Sequence, residues 1–183
     1  MRQEHIKNIC ELRLDRRPRP VDAGRMITVV IPVQRHSPPL VSLLSDLVPA
    51  AVDGLVKAVV LAGDDGDALR SLSDDSGAVL VTVSGDRGRR LAAGCLAARG
   101  DWILTLDPET VLAAGWRAPI EKHLAGGGGA AAWLSRPGFM ARLTVTPLGV
   151  LVRRLDYEAA GGFRPGEGAE KALIRRLGAR RLA

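Results

Sequence analysis

Four short apolar runs, each closing on a turn and separated by helix-like stretches, set the fold this chain can adopt. Met26 to Val33 is continuous and rich in β-branched residues, the pattern of a strand buried on both faces. Val56 to Ala62, Ala78 to Val83 and Trp102 to Leu106 repeat it. Pro38-Pro39 opens a helix through Leu40, Leu43, Leu44 and Leu47, with Pro at a helix start where its missing N–H costs nothing. Pro49 and Gly54 are expected to end that helix. A short helix is expected from Asp67, another over Arg89 to Arg99 and a further one over Gly115 to Leu124. Strand and helix in alternation imply βαβ crossovers and a parallel sheet.

The pattern changes after Gly126-Gly127-Gly128-Gly129. Ala130 to Leu134, Ala141 to Val145 and Leu148 to Val152 are strand candidates without long helices between them. They predict a smaller mixed or antiparallel part. Arg164-Pro165-Gly166 reads as a turn, and Glu167 to Leu177 as a terminal helix with acids first and arginines last, which suits the helix dipole. Residues 1–25 read as a basic appendage, with a short helix from Glu4 to Leu14, so a single domain is expected over residues 26–183.

The chain has 183 residues, 46% of them hydrophobic but only 3% aromatic, so aliphatic side chains must fill the core. The net charge is +6, and a basic surface attracts phosphates of any origin. Few aromatics for base stacking and no reader motif make nucleic acid an improbable partner. Cys10 and Cys95 form no disulfide framework, and Cys95 lies among small residues as a packing thiol. No apolar run reaches the length of a membrane span, about 20 residues. The default expectation is a cytoplasmic location, with the arginine-rich termini in peripheral contact with anionic lipid on the inner face of the membrane.

Polar residues gather where the strands stop. Val33-Gln34-Arg35, Asp64-Asp65 and Asp107-Pro108-Glu109 all follow strand ends. In open parallel sheets ligands bind beyond the carboxyl ends of the strands, so these segments should meet in one crevice. Asp107 and Glu109 are two acids one residue apart, which repel each other unless something positive lies between them. A hard cation such as Mg²⁺ or Mn²⁺ takes carboxylate oxygens and carries substrate phosphates on its remaining positions. The structural alternative is a polar strand end with Thr110 capping a helix, and for Asp64-Asp65 an Asp-rich turn.

The succession Val29-Val30-Ile31-Pro32, Asp64-Asp65-Gly66, Ala97-Ala98-Arg99-Gly100-Asp101-Trp102 and Leu106-Asp107-Pro108-Glu109-Thr110 resembles glycosyltransferase family 2. Leu151-Val152-Arg153-Arg154 followed by Glu158-Ala159-Ala160-Gly161-Gly162-Phe163 resembles the segment before that family's catalytic acid. The resemblance implies a GT-A fold, a Rossmann-like αβα sandwich, and an inverting enzyme using a nucleotide-diphosphate sugar. It implies that Asp65 or Asp64 holds the base or ribose of the nucleotide, with Pro32 among the donor-binding residues. By the same likeness Asp107 and Glu109 hold Mg²⁺ or Mn²⁺, and Arg87 and Arg89 lie near the diphosphate. Glu170, with Glu167 second, matches the base that takes the acceptor's proton.

The sequence departs from the family's pattern at Val33-Gln34-Arg35, at Ala92 in place of an Asn, at Glu109 in place of an Asp and at Glu170-Lys171 in place of an acidic pair. Two readings follow. One is a metal-assisted glycosyltransferase whose acceptor the sequence leaves open, a lipid-linked or cell-envelope glycan being one candidate. The alternative is a degenerate member of the same fold that binds a nucleotide or a partner protein without turnover.

Overall fold

The computed structural model describes residues 26–34, 38–134 and 147–182. The helix expected over residues 4–14 and the strand expected over residues 141–145 lie outside them, as does Arg35. Seven strands form one sheet: β1 (Ile27–Val33), β2 (Val56–Gly63), β3 (Val79–Thr82), β4 (Trp102–Thr105), β5 (Ala131–Leu134), β6 (Pro147–Arg153) and β7 (Arg180–Arg181). Their order across the sheet is β3-β2-β1-β4-β6-β5-β7. The first four are parallel. β6 runs antiparallel to both β4 and β5, and β7 is parallel to β5. Among the described strands β6 alone opposes the common direction, so the expected mixed part exists but continues the main sheet.

Helices cover both faces. α1 (Pro38–Val52), α2 (Asp67–Ser76) and α4 (Arg117–Ala125) pack on one side, and α3 (Arg87–Ala97), α5 (Arg154–Ala159) and α6 (Ala169–Leu177) on the other. The split follows the strand period of two. Val29, Ile31 and Val33 of β1 meet Leu40, Leu43 and Leu47 of α1, while Val30 meets Leu91 and Cys95 of α3. All seven residues of β1 are buried. This is the αβα sandwich the sequence predicted. Among the described residues no helix is long and apolar enough to cross a membrane.

Several boundaries differ from expectation for definable reasons. Pro49 lies inside α1 instead of ending it. Its ring is exposed, and the carbonyl it orphans belongs to Ser45, also exposed, so water can satisfy it while buried Ala50 anchors the last turn. α3 begins at Arg87 rather than Arg89, because Asp86 caps it by accepting from the Arg89 N–H at 2.9 Å. α4 begins at Arg117 rather than Gly115. α6 begins at Ala169, which leaves Glu167 in the turn ahead of it. α5 and the two-residue β7 carry too few positions to show a period, and the sequence reading missed both. Cys95 is the packing thiol expected: burial pushes it up to about 12, so it stays protonated at neutral pH.

Candidate active site

The carboxyl ends of β1, β2 and β4 lie side by side, because β1 pairs with both neighbours in parallel. Pro32 sits near the end of β1, two residues past the last β1–β4 pair at Val30 and Thr105, so the N–H it lacks falls where that pairing stops. β2 ends at Gly63, followed by Asp64 and Asp65. β4 ends at Thr105, and the next residue, Leu106, still donates its N–H to the Val30 carbonyl at 3.0 Å before the chain turns at Asp107. Asp107 then shapes the turn that follows. Its Oδ1 accepts from the Glu109 N–H at 2.9 Å, and its carbonyl accepts from Thr110 N at 3.0 Å. Thr110 caps no helix: it is buried with an unpartnered hydroxyl, and α4 starts seven residues later without a side-chain cap.

Arg87, the first residue of α3, joins two segments far apart in sequence. Its Nη1 lies 2.9 Å from Asp107 Oδ2, and its Nε donates to Glu170 Oε1 at 2.6 Å. Glu170 stands in the first turn of α6 and is 6% exposed. The approach of α6 to α3 is set by Gly88. A Cβ there would run into the Arg164 carbonyl and stand 2.9 Å from Gly166 backbone atoms, so only glycine admits the turn. Asp86 closes the same clasp by accepting from the Gly166 N–H at 2.8 Å. Hydrogen bonds from the Gly166 and Arg89 backbones hold the Asp86 carboxyl below the usual carboxylate range.

Arg90, one helical turn beyond Arg87 on the same face of α3, serves the second carboxylate cluster. It is 5% exposed and donates from Nη2 to Asp64 Oδ2 at 2.8 Å. Hydrogen bonds from the Ser84 hydroxyl and from Arg90 lower the Asp64 pKa. Asp65 pairs with Arg70 in α2 and is as open to solvent as Asp64. Arg89 instead points outward, 62% exposed, with its Nε 3.8 Å from Asp86. So the face of α3 turned to the carboxylates carries Arg87 and Arg90, and Arg89 falls off it by helical geometry. Glu167 is exposed and outside this cluster, whereas Glu170 belongs to it. The sequence reading missed Asp86 and Arg90. Asp86 had a signal, an acid immediately before a helix; Arg90 had none.

Among the described residues no group of three or more His, Cys, Asp or Glu side chains is placed to hold a metal alone. Asp107 and Glu109 offer hard oxygen donors, and a carboxylate keeps further lone pairs when each oxygen already accepts one hydrogen bond. Mg²⁺ and Mn²⁺ are commonly held by one or two carboxylates plus substrate phosphates. The donor set therefore fits a cation that a diphosphate brings with it, and does not form a closed protein cage.

No protein-family model matches this sequence, and no curated protein matches it significantly. Solved structures do match. Glucosyl-3-phosphoglycerate synthase from Mycobacterium tuberculosis, in complex with phosphoglyceric acid, superposes with a TM-score of 0.69 at 22% identity, covering 86% of this chain and 68% of that one. The same protein with Mn²⁺, uridine diphosphate and glucosyl-3-phosphoglycerate gives 0.68 at 22% identity over the same shares. A mycobacterial protein gives 0.67 at 21% identity, covering 84% of this chain and 61% of that one. The fold of this chain is thus the GT-A fold of nucleotide-sugar transferases.

Proposed function

We propose that the chain is a metal-assisted glycosyltransferase that moves a sugar, with inversion, from a nucleotide-diphosphate sugar to an acceptor hydroxyl. The observation that carries this reading is the meeting of Arg87, Asp107 and Glu170, from three separate segments, at the carboxyl end of β4 in a GT-A sheet, with Asp64 held by Arg90 one helical turn along α3. Neighbours of that fold were solved with Mn²⁺ and uridine diphosphate or uridine-diphosphate-glucose.

In this reading Asp64, oriented by Arg90 and Ser84, receives the nucleoside, with Asp65 beside it. Asp107 and Glu109 would hold Mg²⁺ or Mn²⁺, which supplies positive charge against the departing diphosphate. Arg87 contributes a fixed guanidinium to the same task, since its fork of donors suits phosphate oxygens as well as carboxylates. Glu170 takes the acceptor's hydroxyl proton as the acceptor oxygen attacks the anomeric carbon. The bond from that carbon to the diphosphate oxygen breaks, and the nucleoside diphosphate leaves. A base in this role is commonly worth about 10²–10⁴-fold in rate.

A second reading has its own observation. Glu170 is buried, and its described contacts run to Arg87, the arrangement of a structural carboxylate. The chain would then bind a nucleotide or a partner protein without turnover. Glu170→Gln separates the two, because the amide keeps an acceptor for Arg87 but cannot take a proton. We expect nucleoside diphosphate release from sugar nucleotides to fall at least about 100-fold while nucleotide binding persists. Equal release by wild type and variant would remove Glu170 from the chemistry. No release by wild type from any sugar nucleotide would favour the binding-only reading.

A further inference from the structure

We propose that a cavity at the opposite end of the sheet from the candidate active site is a second binding site, for a phosphate-bearing small molecule. The cavity measures about 640 Å³, within the range of small-ligand pockets. Its position follows from the elements that line it. His123 in the last turn of α4 packs edge-on against Trp102, the first residue of β4, and Gly126 to Ala130 lead from that helix into the start of β5. This end of the sheet is therefore where β4 starts, whereas Asp107 lies just beyond where it stops.

The charge of the wall is one-sided. Lys122, His123, Arg180 and Arg181 line the cavity, and none of the lining residues is acidic. Among the described residues Lys122, Arg180 and Arg181 enter no ion pair. By contrast Arg70, Arg87, Arg90 and Arg117 all face carboxylates. Lys122 has a local reason to be there, since it lies in the last turn of α4 and offsets the carbonyl end of that helix. Arg180 and Arg181 have no such reason. They follow the Gly178 cap of α6 and belong to β7. These cations surround a concavity with no acid in its wall, so its potential is positive and draws an anion in.

The wall is also held in shape. His123 Nε2 lies 2.7 Å from the Gly129 carbonyl oxygen, so that nitrogen carries the proton and donates. The ring stands edge-on to Trp102 at 5.9 Å between centroids. A Cβ at Gly128 would press on the His123 ring at 2.5 Å, so the glycine turn closes onto α4 as no other residue would allow. Guanidinium and ammonium groups match phosphate oxygens by charge and by donor geometry. Leu177 and Leu182 add an apolar wall, which suits an organic phosphate better than a bare ion.

The test uses the full chain with inorganic pyrophosphate as probe, followed by amide chemical shifts and calorimetry. The variant is Arg180→Gln/Arg181→Gln, both exposed positions whose backbone pairing to β5 survives the change. Pyrophosphate should shift the amides of residues 126–130 and 180–182. Its affinity at that site should fall at least tenfold in the variant, while nucleoside diphosphate affinity stays as in wild type. A second arm offers vesicles of phosphatidylglycerol in neutral lipid. Soluble binding alone assigns a free phosphorylated ligand; vesicle binding lost in the same variant assigns a lipid headgroup phosphate. Pyrophosphate shifts confined to residues around Arg87 and Asp107, or affinities unmoved by the variant, would overturn the proposal.

Discussion

Arg87 shows how one residue can organise a site. It begins a helix, bridges a strand-end carboxylate to a helix carboxylate, and stands one turn from the arginine that orients Asp64. Its two partners were legible as acids at suggestive places. Its bridging was not, because Glu170 lies 83 positions away and no local pattern encodes a contact of that range. Asp86 is readable in a different way, by pH. Its folded pKa is depressed by the Gly166 and Arg89 N–H groups, so its contribution to stability is complete above the ordinary value of 3.8 and is lost as pH falls through the folded value. Replacement by Ala should therefore lower stability at pH 7. The gap between variant and wild type should close on acidification below about pH 3.8, as measured by urea unfolding across pH. A gap that stays constant to pH 2 would show that the charge plays no part.

At the scale of elements, the first four strands were legible because each is a continuous apolar run; β1 and β4 are buried throughout, as such a run expects, whereas β3 is a half-exposed edge strand. The helix ends were less legible because caps are decided by one hydrogen bond. Asp86 moves the start of α3 two residues earlier, and the turn clasped at Gly166 delays α6 to Ala169. β7 escaped notice because two exposed arginines look like a solvated tail until β5 pairs with them. Pro49 was read as a stop because an interior proline costs a helix a hydrogen bond. Its exposed position makes that cost bearable without removing it. Pro49→Ala should thus raise unfolding free energy by about 1–2 kcal/mol, after allowance for the greater freedom of the unfolded alanine chain. Leu91→Ala, in the fully buried face of α3, should lower it by about 2–5 kcal/mol. Denaturant midpoints of both variants check the pair, and a destabilising Pro49→Ala would mean that the ring itself is needed.

Across the whole molecule, the candidate active site lies at one end of the sheet and the basic cavity at the other. Near the first, Arg87 and Arg90 face acids, whereas Arg180 and Arg181 beside the cavity enter no ion pair among the described residues. The central claim concerns the first end, and a ligand that binds only the folded chain must raise its melting temperature. The most direct measurement is thermal unfolding with uridine and guanosine diphosphates, each with Mn²⁺, with Mg²⁺ and with a chelator, for wild type and Asp107→Ala. Saturation with one nucleotide and metal should raise the wild-type midpoint by about 5–10 °C, with little gain under chelator or in Asp107→Ala. Midpoints unmoved by every nucleotide, or a shift that neither the chelator nor Asp107→Ala diminishes, would contradict a metal-assisted donor site at this end of the sheet.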